Sequence, residues 1–296
     1  MSANLHVGQS PVQPVRERRP GFIQRLTPGA IILNLALLFL VLVTVIPYLY
    51  MAVSAFKHNG EIFGYPITFW PQDPTFENIQ ALVTQFPFGR WFVNTAIVAI
   101  LGTLLSVLLS SLAGFAFAKY EFRFRNVLFT LMLATILIPF QVLLVPQFQI
   151  MKWFNWFNTY QALIVPGAVG AFGIFLMRQY SLGVPDELLD AARIDGASEF
   201  GIWWRVVLPL VRPGLAVLAI LSFTARWNDF FWPLIVTTEP SMFVINLGIA
   251  SLVGPYDYQY GILLSGALLA SLPIIIIFLF LQRQFIDSLT SGALKY

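Results

Sequence analysis

The 296-residue chain has no cysteine, which excludes a disulfide framework and any thiolate metal site. Histidine is nearly absent. His6 and His58 both lie outside the long apolar runs, and this removes most histidine-based catalysis. Charged residues are scarce too, at 10% against 58% hydrophobic. A soluble domain carries roughly a quarter charged residues and about half apolar ones. With a mean hydropathy of +0.76, the composition is that of an integral membrane protein. No Gly-rich P-loop ending in Gly-Lys-Ser/Thr occurs, so any ATP must be handled by another polypeptide. No catalytic residue, metal ligand set or nucleic-acid partner is expected.

What is present is a series of apolar runs. A membrane-crossing helix needs about 20 mainly apolar residues. Six segments qualify: 29–56, 91–118, 127–150, 159–181, 213–236 and 261–282. The runs are long and continuous, so helices are expected rather than the alternating short strands of a barrel. The expected fold is all-α and polytopic, with six transmembrane helices. The first run follows Arg16, Arg18, Arg19 and Arg25. It far exceeds a signal peptide's apolar core of roughly 7–15 residues, so it reads as a retained anchor despite the small residues Val53-Ser54-Ala55.

Lysine and arginine set the orientation. An N-terminus inside puts those four arginines in the cytoplasm. The same choice places Lys119, Arg123, Arg125, Arg178, Arg193, Arg205, Arg212, Arg283 and Lys295 inside, and leaves Lys57, Arg90 and Lys152 outside. Both termini are then cytoplasmic. The domain reading is a tail over 1–28, a permease domain over 29–282 and a tail over 283–296. Segment 57–90 reads as an external cap with an interfacial piece near 76–82. Trp91, Trp153 and Trp156 read as interface anchors, and Ser110, Gly114 and Ala118 as a close-packing stripe.

Residues 183–212 interrupt this pattern with a polar, mixed-charge stretch between two apolar runs. Pro185 suits a helix start, where Asp186 and Glu187 meet the positive end of the dipole. Gly196 can take positive φ and turn the chain. Ser198 is a candidate N-cap for a second helix over 199–207, and Pro209 and Pro213 stop it. The expected form is a short helix–turn–helix at the cytoplasmic face.

Asp190-Ala191-Ala192, Gly196, Val206 and Leu208-Pro209 stand at the spacing of the Glu-Ala-Ala … Gly … Ile … Leu-Pro coupling motif. Asp replaces Glu and Val replaces Ile. With Trp227-Asn228-Asp229-Phe230-Phe231-Trp232-Pro233 and the tail Leu289-Thr290-Ser291-Gly292-Ala293-Leu294-Lys295, the chain resembles carbohydrate ABC-importer permeases of the maltose type, from about residue 29 onward. The resemblance implies a type I importer permease fold in a bacterial or archaeal plasma membrane. It implies that Asp190, Ala191, Ala192, Asp195, Gly196, Leu208 and Pro209 couple to an ATPase, and that Thr290, Gly292 and Lys295 touch the ATPases from the tail. The implied partners are two ABC ATPases carrying ATP and Mg, a second permease of different sequence, an extracytoplasmic solute-binding protein, and a sugar. No cofactor is bound by this chain itself.

Gln141, Trp227, Asn228, Asp229 and Trp232 are candidates for the solute pathway. Amide and carboxylate groups can bond sugar hydroxyls, and an indole face can pack on a sugar ring. Intramembrane ionisable groups are costly and functional by default. Arg226 and Asp229 are three residues apart on one expected helix, so a structural ion pair is the plainer reading. Two other classes remain. A secondary transporter driven by an ion gradient would leave the coupling segment unexplained. An intramembrane enzyme lacks a second well-placed aspartate or any histidine in the spans.

Overall fold

The computed structural model describes residues 28–253 and 259–293, with side chains up to residue 280. Every regular element among the described residues is helical. The chain divides at Tyr50/Met51 into two compact units, where the sequence reading draws one permease domain over 29–282. The helix α1 (Pro28–Ser54) supplies the described part of the first unit. Its mean composition is apolar all round, and its large side chains from Ile31 to Leu49 are exposed, as suits a helix that meets lipid.

The second unit opens with α2 (Asn59–Ile62) and α3 (Glu77–Gln85), the latter close to the interfacial piece expected near 76–82. Its spine is α4 (Phe88–Lys119), 32 residues or roughly 48 Å at 1.5 Å per residue. Then come α5 (Arg125–Ala134), α6 (Phe140–Trp153), α7 (Tyr160–Ile164) and α8 (Ala171–Leu182). The polar segment follows as α9 (Asp186–Ile194), α10 (Glu199–Ile202) and α11 (Leu208–Leu210). The chain returns through α12 (Arg212–Trp227), α13 (Phe231–Val236), α14 (Ile245–Ser251) and α15 (Tyr260–Ala293).

Small residues let α8 and α12 approach α4. A Cβ on Gly114 would lie 2.6 Å from the Met177 Cβ and 2.7 Å from the Arg178 nitrogen, so this position admits no side chain. Three buried clusters follow one another along α4. Phe88 and Trp91 join Leu82, Ile245 and Ile262 at its start; Val98 joins Met151, Trp232 and Val236; Phe115 joins Met177, Leu189 and Trp203 at its end.

Among the described residues, three helices are long and apolar enough to cross a membrane, and five if two bent pairs each count as one span. The expected spans at 127–150, 159–181 and 213–236 are all broken. Arg125–Leu137 and Phe140–Trp153 meet at 104°. Pro139 forces Ile138 into an extended conformation (φ −83°, ψ 116°), and its missing N–H ends the ladder. Pro166 and Gly167 separate α7 from α8. The last of the three runs stops at Trp227 and restarts at Phe231. Trp91 is no interface anchor: it is 2% exposed and donates Nε1 to the Pro240 carbonyl at 2.9 Å. Trp153 is 84% exposed, as an anchor would be.

Candidate functional site

The segment 183–212 folds as its local chemistry dictates. Pro185 caps α9, and Asp186 and Glu187 occupy the first turn, where negative charge is favoured. Leu189 turns inward and is 1% exposed, packed in the cluster with Ile202, Trp203 and Val207. Gly196 takes φ +78°. The turn closes with Gly196 N–H donating to the Arg193 carbonyl and Ala197 N–H to the Ala192 carbonyl, both at 3.0 Å. Ser198 caps the next helix, accepting the Gly201 N–H at 3.2 Å.

The second helix is less regular than expected. After Ile202 it widens into a π-turn over Trp203–Val207 before α11. Pro209 offers no N–H to the Arg205 carbonyl, and its ring crowds that carbonyl, so the wider turn relieves the clash. Val211 (φ −95°, ψ 14°) then breaks the helix, and the path bends by 84° into α12.

The burial pattern divides the predicted coupling residues. Ala192 and Leu208 are half-buried against the core, and Asp190, Ala191, Asp195, Gly196 and Pro209 are exposed. Ile194 is 86% exposed at the tip of α9, the strongest apolar feature of the outer face. The tail candidates cannot be placed in the same way. Thr290 and Gly292 lie on α15 beyond the described side chains, and Lys295 lies outside the described residues.

Charge holds the site together. Lys119 donates from Nζ to Asp186 Oδ1 at 2.7 Å and to the Val184 carbonyl at 2.6 Å. Arg193 donates to Asp190 Oδ1 (2.8 Å) and to Glu199 Oε1 (2.9 Å). Tyr120 donates its hydroxyl to Glu199 Oε2. The bond from Arg193, then that from Tyr120, holds the Glu199 carboxyl below its ordinary range. Burial first, then Glu199, pushes the Tyr120 phenol up to about 12. The hydrogen bonds that Arg193 donates to Glu199 and Asp190 raise its pKa further, so it stays cationic. Sequence reasoning did not find Lys119, Tyr120 or Glu199 as members of this site. Their partners are 79 residues away for Tyr120 and 67 for Lys119, beyond any local signal.

The pathway candidates are distributed differently. Trp227 and Trp232 are buried, and their Nε1 groups donate to the Ala270 carbonyl (2.9 Å) and the Ala162 carbonyl (2.7 Å). Asn228 is exposed at the helix end and donates to the Thr224 carbonyl at 3.0 Å. Asp229 sits in the break, where Oδ1 accepts the Trp232 N–H at 3.4 Å. Gln141 is exposed at the start of α6. Among the described residues no ion pair joins Arg226 to Asp229, because the helix ends between them. Arg226 instead donates to the Ser222 carbonyl at 3.2 Å and to the Gly167 carbonyl. It lies over Gly102, where a Cβ would come within 2.4 Å of Nε.

Residues 106–290 match the family described as binding-protein-dependent transport system inner membrane component. The arabinooligosaccharides transport system permease protein AraQ of Halalkalibacterium halodurans is 40% identical over 267 residues, covering 89% of this chain and 96% of that protein. The lactose transport system permease protein LacG of Rhizobium radiobacter is 33% identical over 252 residues, covering 85% and 91%. The fold is similar to that in the crystal structure of a bacterial ABC transporter involved in import of the acidic polysaccharide alginate. There the TM-score is 0.80 at 20% identity, over 90% of this chain and 99% of the other.

Proposed function

The chain belongs to the family of binding-protein-dependent transport system inner membrane components, and we infer that it is a permease subunit of an ATP-driven ABC importer for a sugar or sugar-like solute. The observation that carries the mechanism is the projecting turn at 183–212, with Asp190, Ala191, Ile194 and Asp195 on its open face and Leu189 anchoring it to the core. A rigid, exposed, mixed-charge helix tip suits docking to a soluble protein and cannot itself face lipid.

Six crossings with both termini inside remain our reading of the chain, with tails over 1–28 and 283–296 in the cytoplasm. The charges support the orientation. Lys119 and Arg125 bond at the α4 end that holds the turn, whereas Arg90 lies near the opposite end and donates to the Ser241 carbonyl. We place the chain in a bacterial or archaeal plasma membrane beside a second, different permease. Two ATPases with ATP and Mg sit on the inner face, and a solute-binding protein delivers from the outer face. ATP-driven closure of the ATPases moves the turn, and the bundle exchanges inward-facing for outward-facing access. Asn228 and Asp229, at the break between α12 and α13, together with Gln141, are our candidates for contact with the solute. Trp227 and Trp232 support that break, with their N–H groups committed to backbone carbonyls.

The alternative of a secondary transporter driven by an ion gradient gains no support from the relatives described above. Uptake in energised vesicles separates the two. With ATP held constant, an uncoupler should leave uptake intact. Collapse of uptake together with the ion gradient would refute the importer.

A further inference from the structure

The turn at 183–212 is joined to the bundle covalently through α8 and α12. Both joints are helix ends: Gly183 caps α8, and Val211 breaks the path into α12. The turn also packs on the end of α4 through the buried cluster of Leu189, Ile202, Trp203 and Val207 with Phe115, a contact without directional bonds. A directional polar connection runs beside it. Lys119, the last residue of α4, grips the start of α9 through Asp186 and the Val184 carbonyl. Tyr120, the next residue, grips α10 through Glu199. Glu199 has lone pairs for two donors and also takes Arg193 Nε, and Arg193 Nη1 reaches back to Asp190 on the open face. The planar guanidinium serves both carboxylates at once, which a lysine could not do with the same geometry.

We propose that Tyr120, Glu199 and Arg193 are positioning residues for transport coupling. They form a strut that makes the turn and the end of α4 one rigid body, so that displacement of the turn is delivered to α4 directly. The bundle would respond as a whole, because α8 and α12 both pack on α4. This rests on the reading of the turn as the ATPase-docking element.

The absence of cysteine makes the test direct. The assembled transporter, with its other subunits also made cysteine-free, is reconstituted in proteoliposomes with its binding protein. Solute imported per ATP hydrolysed is then measured. Tyr120→Phe and Glu199→Gln should each lower this ratio several-fold while the ATPase still co-purifies, and the double variant should fall no further than either single one. A Tyr120→Cys/Glu199→Cys pair bridged by a reversible bis-thiosulfonate linker should regain the ratio lost in the unbridged pair, because a rigid body tolerates a lock. A merely structural role would reduce the amount of assembled complex and leave the ratio per complex unchanged, which would overturn the strut. So would a bridge that arrests import, since the turn would then have to move against α4. An unaltered complex that holds no ATPase would instead sink the docking reading, a result distinct from an assembled complex whose coupling ignores Tyr120.

Discussion

Gly196 offers a clean perturbation of the turn at 183–212, which we propose docks the ATPase. It holds φ +78°, and among the described residues no heavy atom beyond its chain neighbours lies within 4 Å of the position a Cβ would take. A substitution there therefore meets no clash, and its cost is conformational alone. An L-residue in the left-handed region loses roughly 1–2 kcal/mol, asparagine less, and a β-branched residue more. If the ATPase binds only the closed turn, that cost lowers apparent affinity by up to about 5–30-fold. The assay is titration of the purified ATPase onto the solubilised permease complex, with protein yield as a check on insertion. Affinity should fall in the order Gly, Asn, Ala, Val. A ranking by size, with asparagine worse than alanine, would mean that the side chain meets the partner and the backbone argument is wrong. Full affinity for Gly196→Val would remove the turn from docking altogether.

Other perturbations test the packing and the electrostatics. In Gly248→Ala the new Cβ would lie 2.2 Å from two ring carbons of Trp91, which is buried and held by Pro240; destabilisation of about 1–3 kcal/mol is expected as a lower melting temperature in detergent. Arg226→Met is expected to lower uptake, and Gly102→Ala, which should displace Arg226 from its seat over Gly102, is expected to lower it to a similar extent; unlike phenotypes would show that the two do not act together. Glu199 has a depressed pKa, so its contribution is full above the ordinary value of 4.5 and is lost as pH falls through the depressed one. Tyr120 is raised to about 12, so its contribution is full below the ordinary value of 10.0 and is lost as pH rises through about 12. Import per ATP should thus be flat across neutral pH, and a step near neutrality that Glu199→Gln abolishes would contradict this.

Much of the turn at 183–212 was legible because its signals are local. Pro185, Gly196 and Ser198 each act within one turn of themselves, and each does what its chemistry predicts. The membrane helices were legible as apolar runs but not as shapes, because hydropathy averages over a break. Pro139 and Pro166 were visible breakers inside runs 127–150 and 159–181, and Asn228-Asp229 marked the third break. Each was outweighed by the apolar residues around it. The expected Arg226–Asp229 pair failed for the same reason, since helical spacing has no meaning across a helix end. The links Tyr120–Glu199, Trp227–Ala270 and Trp232–Ala162 join residues 43 to 79 positions apart and follow only from the assembled bundle. Both indoles are buried with their N–H groups on backbone carbonyls, a placement that no residue type could have announced.

The most direct test of the importer reading is co-purification from the native membrane. The tagged chain is solubilised gently, and its companions are identified and quantified by mass spectrometry. The expected result is two P-loop ATPase subunits and one second, different permease for each copy of this chain, with the ATPase lost from Gly196→Val before the second permease is. A chain that purifies without any ATPase, while uptake follows an ion gradient, would contradict it.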